Sequence, residues 1–152
     1  MELILWRHAD AVDGVPDMER ALSARGEKQA RAMAAWLRPR LPAGMHILAS
    51  PARRTRQTAD ALRLPYTTDQ RLAPGARSSA LLGAAGWPDH EPGVLLVGHQ
   101  PTLGLCAALL LGGAEDAWSV KKGAVWWISS RTRFGARETI LRAVLAPDLV
   151  DD

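Results

Sequence analysis

The chain of 152 residues contains a single cysteine, three lysines and no run that approaches the ~20 consecutive apolar residues of a membrane-crossing helix. One cysteine cannot make an internal disulfide, so the fold has to rest on a core. Cys106 stands in the apolar run Leu103-Gly-Leu-Cys-Ala-Ala-Leu and is expected to be a small core residue. A framework without disulfides points to the cytosol. The apolar run nearest the start, Leu3-Ile4-Leu5-Trp6, is four residues long, with no basic lead-in or small-residue cleavage site, so no secretory signal is expected. Sixteen arginines accompany the three lysines, for a net charge of +3, and they are scattered. Arg53-Arg54-Thr55-Arg56 is their densest stretch. The concentrated basic stripe of a nucleic-acid surface is missing. There is no His-x-His, no cysteine pair, no internal repeat, no low-complexity tract and no linker. Between Glu27 and Glu91 there is no glutamate at all.

What is present is the balance of an ordinary globular protein, 47% apolar and 23% charged. A chain of this length favours one domain, residues 1–152, with a sizeable core.

Leu3-Ile4-Leu5-Trp6, with no polar alternation, suits a strand covered on both faces. Ala9 to Arg20 is polar, carries Gly14 and Pro16, and reads as a loop. Ser23 is placed as the N-cap of a helix from about Ala24 to Arg38, with Ala30, Met33, Ala34 and Leu37 as its inner stripe and Pro39 and Pro42 stopping it. His46 to Ala49 reads as a strand. Pro51 is placed in the first turn of a helix running to about Leu62. A short strand and loop follow from Tyr66 to Arg77, then a short helix from about Ser79 to Ala85. Val94 to Val97 reads as another buried strand, and Thr102 to Leu111 as a helix behind Pro101. Ala124 to Ser129 and Thr139 to Leu145 read as a hairpin joined by the polar segment Ser130 to Arg137. In that hairpin Trp126 and Trp127 should face opposite sides of the sheet.

The order β-α-β-α-(β)-α-β-α-β-β predicts a three-layer α/β/α sandwich around a mainly parallel sheet. Ligands of such sheets gather beyond the carboxyl ends of the strands. Arg7 and His8 follow the first strand there, Arg53, Arg54 and Arg56 follow the second, and His99 follows a later one. These groups offer N–H donors and positive charge without a carboxylate cluster, and the guest that matches them is a dianionic phosphoryl group. His46 and His90 lie elsewhere, and arginine charge repels a divalent cation. No metal and no cofactor is expected.

These residues resemble the histidine phosphatase superfamily, which includes the phosphoglycerate mutases. The family's Arg-His-Gly is matched by Arg7-His8-Ala9, and its Ser-Pro-x-x-Arg-Ala-x-Gln-Thr by Ser50-Pro51-Ala52-Arg53-Arg54-Thr55-Arg56-Gln57-Thr58. Its Gly-His is matched by Gly98-His99, and its Leu-(Thr/Ser)-x-x-Gly helix entry by Leu22-Ser23-Ala24-Arg25-Gly26. The resemblance covers essentially the whole chain and implies a phosphoglycerate mutase-like fold without a large lid insertion. It implies that His8 is the catalytic nucleophile, that Arg7 and Arg54 hold the phosphoryl oxygens, and that His99 completes the substrate-binding pocket. The family arginine stands four residues after the serine, which selects Arg54 and leaves Arg53 and Arg56 on the helix surface. Gln57 and Thr58 are expected to support that helix. Ala9 in place of glycine adds one methyl group, and SixA-type phosphohistidine phosphatases often carry alanine there.

A neutral imidazole can attack phosphorus, while arginine and a protonated histidine stabilise the transferring group. Mutases and many sugar-phosphate phosphatases of the superfamily carry a glutamate acid a little beyond the second motif. This chain has Asp69-Gln70-Arg71-Leu72-Ala73-Pro74-Gly75-Ala76 there. An alkoxide leaving group benefits about 10²–10⁴-fold from a positioned acid, whereas the P–N bond of phosphohistidine is weaker and its leaving imidazole accepts a proton readily. The expectation is therefore a SixA-type phosphohistidine phosphatase, favoured as a monomer, acting on a histidine phosphotransfer domain or another histidine-phosphorylated protein. The ending Leu145-Ala146-Pro147-Asp148-Leu149 resembles that subgroup's. A small-molecule phosphomonoesterase, drawing an acid from Asp10, Asp13, Asp17, Glu19 or Asp69, is the alternative. An inactive phosphate-binding module is a third reading.

Overall fold

A computed structural model describes residues 1–150 of the chain. Strand β1 (Glu2–Arg7) carries the apolar run Leu3 to Trp6, and all four side chains are fully buried. Helix α1 (Ala24–Leu37) begins where Ser23 caps it, its Oγ accepting the Gly26 N–H at 3.0 Å. The elements that follow are β2 (His46–Ala49), α2 (Arg53–Asp60), β3 (Thr67–Thr68), α3 (Ser78–Ala85), β4 (Gly93–Gly98), α4 (Thr102–Gly112), β5 (Val125–Arg133) and β6 (Ala136–Leu145).

Among residues 1–150 the strands form one six-stranded sheet in the order β3-β2-β4-β1-β5-β6. Strands β1 to β4 run parallel, and β5 and β6 are antiparallel additions at one side. Alternation along the strands divides the core between the faces. Leu3, Leu5, Leu96 and Ile128 pack with Leu81 of α3 and Leu103, Cys106 and Ala107 of α4. Ile4, Trp6, Leu95 and Val97 pack on the other face with Met33, Ala34 and Leu37 of α1 and Ala59 of α2. The result is the three-layer α/β/α sandwich. Trp126 joins the first cluster and Trp127 the second, the opposite faces expected of neighbours in a strand. Trp87, too, packs against the first cluster.

Both ends of α2 and the inner ends of the hairpin strands differ from the sequence expectation. Pro51 lies outside α2: Ser50 Oγ accepts the Ala52 N–H, and Thr55 Oγ1 donates to the Ser50 and Ala52 carbonyls, so these side chains hold residues 50–52 as a turn before the helix. The helix also ends at Asp60 rather than near Leu62. The segment Ser130 to Arg137 is mostly strand. Its turn is only Phe134-Gly135, both at positive φ (51° and 75°), the geometry of a two-residue hairpin turn. Polar composition marks these strand ends as exposed, and it was misleading as a sign of loop.

No helix among the described residues is long and apolar enough to cross a membrane.

Candidate active site

The two central parallel strands, β1 and β4, pair in register so that Arg7 lies opposite Gly98, and each chain then delivers a histidine at the next position. The His8 N–H donates to the Gly98 carbonyl at 3.1 Å, which locks the two strand ends together. The rings of His8 and His99 lie 5.3 Å apart between centroids and are tilted by 54°. Only 7% of His8 and 4% of His99 is exposed.

Each ring is oriented by one hydrogen bond that decides its tautomer. His8 Nδ1 lies 2.8 Å from the Ala9 carbonyl oxygen. A carbonyl only accepts, so Nδ1 carries the proton and, in the neutral ring, Nε2 keeps its lone pair. His99 has the opposite arrangement. Its Nδ1 faces Arg54 Nη2 at 3.4 Å, and a guanidinium only donates; its Nε2 therefore carries the proton and faces Ser50 Oγ at 2.7 Å.

Arg54 reaches this pair from α2. It is 5% exposed, while Arg53 and Arg56 lie on the solvent side of the same helix and Arg56 folds back onto the Pro51 carbonyl. Arg7, partly buried, donates through Nη1 to the Val120 carbonyl at 2.8 Å. Among the described residues, the buried side-chain nitrogens and oxygens without a hydrogen-bond partner are Arg7 Nε and Arg54 Nε. Buried donors are almost always satisfied in native proteins. Two orphaned cationic donors beside two histidines mark the place where an oxyanion belongs.

Electrostatics follow from this crowding. Burial, then the nearby charges of Arg54, Arg7 and Arg20, hold the His8 imidazole down at about 4, although the Ala9 hydrogen bond acts the other way. Burial, then His8 and Arg54, bring His99 to about 3, with Asp17 opposing. Both rings are thus neutral near pH 7. Without an anion, the arginines and the burial penalise a third positive charge, so the protonated histidine expected from the sequence is not the state of either ring here.

Motif residues that do not line the site complete the frame. Thr58 Oγ1 accepts the Ala9 N–H at 3.1 Å and donates to the Arg54 carbonyl, and Gln57 Oε1 accepts the Leu22 N–H at 2.7 Å. These side chains tie α2 to the loop that follows β1, a wider task than support of their own helix. Ala9 is fully buried and does not adopt positive φ, so the extra methyl group carries no backbone strain. Gly26 permits the helix entry: a Cβ there would lie 1.8 Å from the Asp10 carbonyl oxygen.

Asp17 is the unexpected member. It belongs to a short turn of 3-10 helix, Asp17–Glu19, in the loop after β1. Its carbonyl accepts Arg54 Nη1 at 2.9 Å and its carboxylate accepts Arg54 Nη2 at 3.1 Å and Arg20 Nη1 at 3.1 Å. Those hydrogen bonds, Arg20's foremost, lower its pKa below the usual carboxylate value. Of the five loop carboxylates weighed as acids, Asp17 alone among the described residues bonds to one of the four site residues. Asp10 pairs with Lys122 and Ser23, and Asp69 with Arg71. His46 and His90 stack on each other, centroids 5.5 Å apart, at the amino-terminal ends of β2 and β4 and so at the opposite edge of the sheet.

Comparison with known proteins agrees with this geometry. The model of the histidine phosphatase superfamily (branch 1) matches residues 3–74. An uncharacterized protein of Mycobacterium tuberculosis is 34% identical over 117 residues, 73% of this chain and 74% of that protein. Another uncharacterized protein, from Picosynechococcus, is 36% identical over 141 residues, 82% of each. Among solved structures, a candidate phosphohistidine phosphatase SixA from Agrobacterium tumefaciens has a TM-score of 0.79 at 24% identity, covering 96% of this chain and 97% of that one. The protein histidine phosphatase SixA complexed with tungstate gives 0.72 at 24% identity, with 97% and 98% covered. A mycobacterial glucosyl-3-phosphoglycerate phosphatase gives 0.67 at 22% identity, with 93% and 97% covered. The fold is therefore phosphoglycerate mutase-like, and the chain belongs to the histidine phosphatase superfamily.

Proposed function

We propose that the protein is a phosphatase that takes a phosphoryl group onto Nε2 of His8, and that its substrate is a phosphohistidine on another protein. The observation that carries this reading is the hydrogen bond from His8 Nδ1 to the Ala9 carbonyl. It leaves the Nε2 lone pair available, next to two buried guanidinium N–H groups with nothing to bind. In the first step Nε2 attacks phosphorus, the P–N bond to the substrate imidazole breaks, and that ring takes up a proton as it leaves. In the second step water attacks the phosphohistidine on His8, releasing inorganic phosphate and restoring the ring. Arg7 and Arg54 serve both steps by binding the phosphoryl oxygens, where charge is spread in the transition state. His99, its Nε2–H held by Ser50 Oγ, lines the pocket beside His8 and gains a second proton once a dianion offsets the arginines.

The choice of a phosphoramidate rests on the acid. Asp17 reaches the site, but its pairing with Arg20 and Arg54 keeps it ionised, so it holds no proton for an alkoxide. Likeness to SixA structures supports the same reading. A substrate panel tests it: a phosphohistidine peptide and a phosphohistidine-bearing phosphotransfer protein should be hydrolysed with kcat/KM at least tenfold above any sugar phosphate or phosphoserine peptide. A preference for a sugar phosphate would assign the site to phosphomonoesters. No turnover of any phosphate compound, with tungstate still bound, would leave a phosphate-binding module.

A further inference from the structure

We propose that the basic groove beside Arg7 is a second anion subsite, which seats acidic side chains flanking the phosphohistidine of a protein substrate. The inference rests on the phosphohistidine reading above and extends it to the substrate's surface. A cavity of about 440 Å³ opens there, walled by Arg7, Arg25, Lys121 and Lys122, with Gln29 and Pro147 between them. A second hollow of about 280 Å³ shares Arg25, Gln29, Pro147 and Asp148 and continues along α1 past Lys28. The two hollows share a wall along α1, and together they hold more than one phosphate would fill.

Its charge is one-sided. Against the four cations of the first cavity stand the carboxylates of Asp10 and Asp148. Asp10 is already engaged, with Lys122 Nζ at 3.0 Å on one oxygen and Ser23 Oγ at 2.6 Å on the other. Arg25 occupies the first turn of α1, where the helix dipole favours negative charge. A cation in that place is not explained by the helix, and it faces the groove.

The groove is also built on the same backbone as the nucleophile. Arg7 donates to the Val120 carbonyl, and the Gly123 N–H donates to the His8 carbonyl at 3.0 Å. The Trp6 indole donates to the Gly123 carbonyl at 3.0 Å. Residues 120–123, which include both lysines, are therefore fixed relative to His8. Gly123, at φ +74°, lets Pro147 pack against this loop; a Cβ there would meet the proline ring at 2.8 Å. An acidic residue bound in the groove would hold its neighbouring phosphohistidine at a set distance from Nε2.

The test compares two synthetic phosphohistidine peptides, one flanked by Asp and Glu and one by Asn and Gln, with p-nitrophenyl phosphate as a substrate that carries no acidic group for Arg25 and Lys121. The wild-type protein should favour the acidic peptide roughly tenfold in kcat/KM, through KM, with the advantage shrinking as salt is raised. The double variant Arg25→Glu, Lys121→Glu should erase or reverse that preference while p-nitrophenyl phosphate turnover stays within about twofold and the melting temperature holds. Equal wild-type rates on the two peptides would overturn the subsite and leave the phosphohistidine reading intact. Equal slowing of all substrates would also overturn it, reducing the cations to a general field. Discrimination confined to small phosphates bearing a second acidic group would contradict the peptide occupant. Failure on both peptides with turnover of p-nitrophenyl phosphate would remove the phosphohistidine reading and this inference together.

Discussion

Arg53 and Arg54 are neighbours in sequence with opposite surroundings, and the difference is a matter of helical rotation. Arg54 is buried with an unpartnered Nε beside His99, while Arg53 lies in solvent. Replacing Arg54 with alanine should cost about 2.7–4 kcal/mol of transition-state stabilisation, some 10²–10³ in kcat, as other lost oxyanion donors do. Arg53→Ala should leave steady-state rates within about twofold. The reverse ranking would mean that the register of the motif is misplaced. Asp17 makes a second residue-scale prediction. Its carboxylate sits on the guanidinium proposed to hold the phosphoryl group, so the two anions compete for that charge. Asp17 is half exposed and the pair is correspondingly weak, so Asp17→Asn should tighten tungstate binding by up to about fivefold, read by titration calorimetry at constant salt. Weaker binding in the variant would show that Asp17 assists the anion rather than competing with it.

At the scale of elements, the site depends on how closely α1 and α2 approach the loop after β1. The start of α1 touches the Asp10 backbone so tightly that only glycine fits at position 26. Gly26→Ala should push the helix off the loop and lower stability by roughly 1–3 kcal/mol, the usual cost of an overpacked contact. Chemical denaturation would measure it, and an unchanged midpoint would show that the contact is slack. The helix entry was readable in advance because Ser23, Gly26 and the inner stripe Ala30, Met33, Ala34 and Leu37 are local signals. The place of Pro51 is not legible locally, for an equally physical reason. A proline can open a helix or precede one, and the side chains of Ser50 and Thr55 decide between the two through hydrogen bonds that no spacing rule reports. In the hairpin, backbone pairing continued through polar residues that composition alone assigned to a loop.

For the whole molecule, the sheet order places β1 and β4 side by side although much of the chain separates them. That adjacency brings His8 and His99 together. The two histidines could be read from the sequence as strand-end residues, but the roles of Ser50, Asp17 and the Val120 carbonyl could not, since each acts across a distance in the chain that only the fold closes. The price of this concentration of buried positive charge appears in acid. His8 and His99 have folded-state values below the unfolded value near 6.5, so the unfolded chain binds more protons from pH 6.5 down to about 4 for His8 and about 3 for His99. Stability is full above that window and falls as pH drops through it, by roughly 3 kcal/mol for His8. Thermal melts of the wild type and of His8→Asn should show the shallower pH slope in the variant. Parallel slopes would mean that His8 titrates normally.

Nε2 of His8 is the atom proposed to receive phosphorus. Brief reaction with a ³²P-labelled phosphohistidine peptide, followed by rapid alkaline quenching, should trap a labelled protein whose label survives base, is lost in acid and maps to the peptide containing His8. A stable label on another residue, or hydrolysis at full rate by His8→Ala, would contradict it.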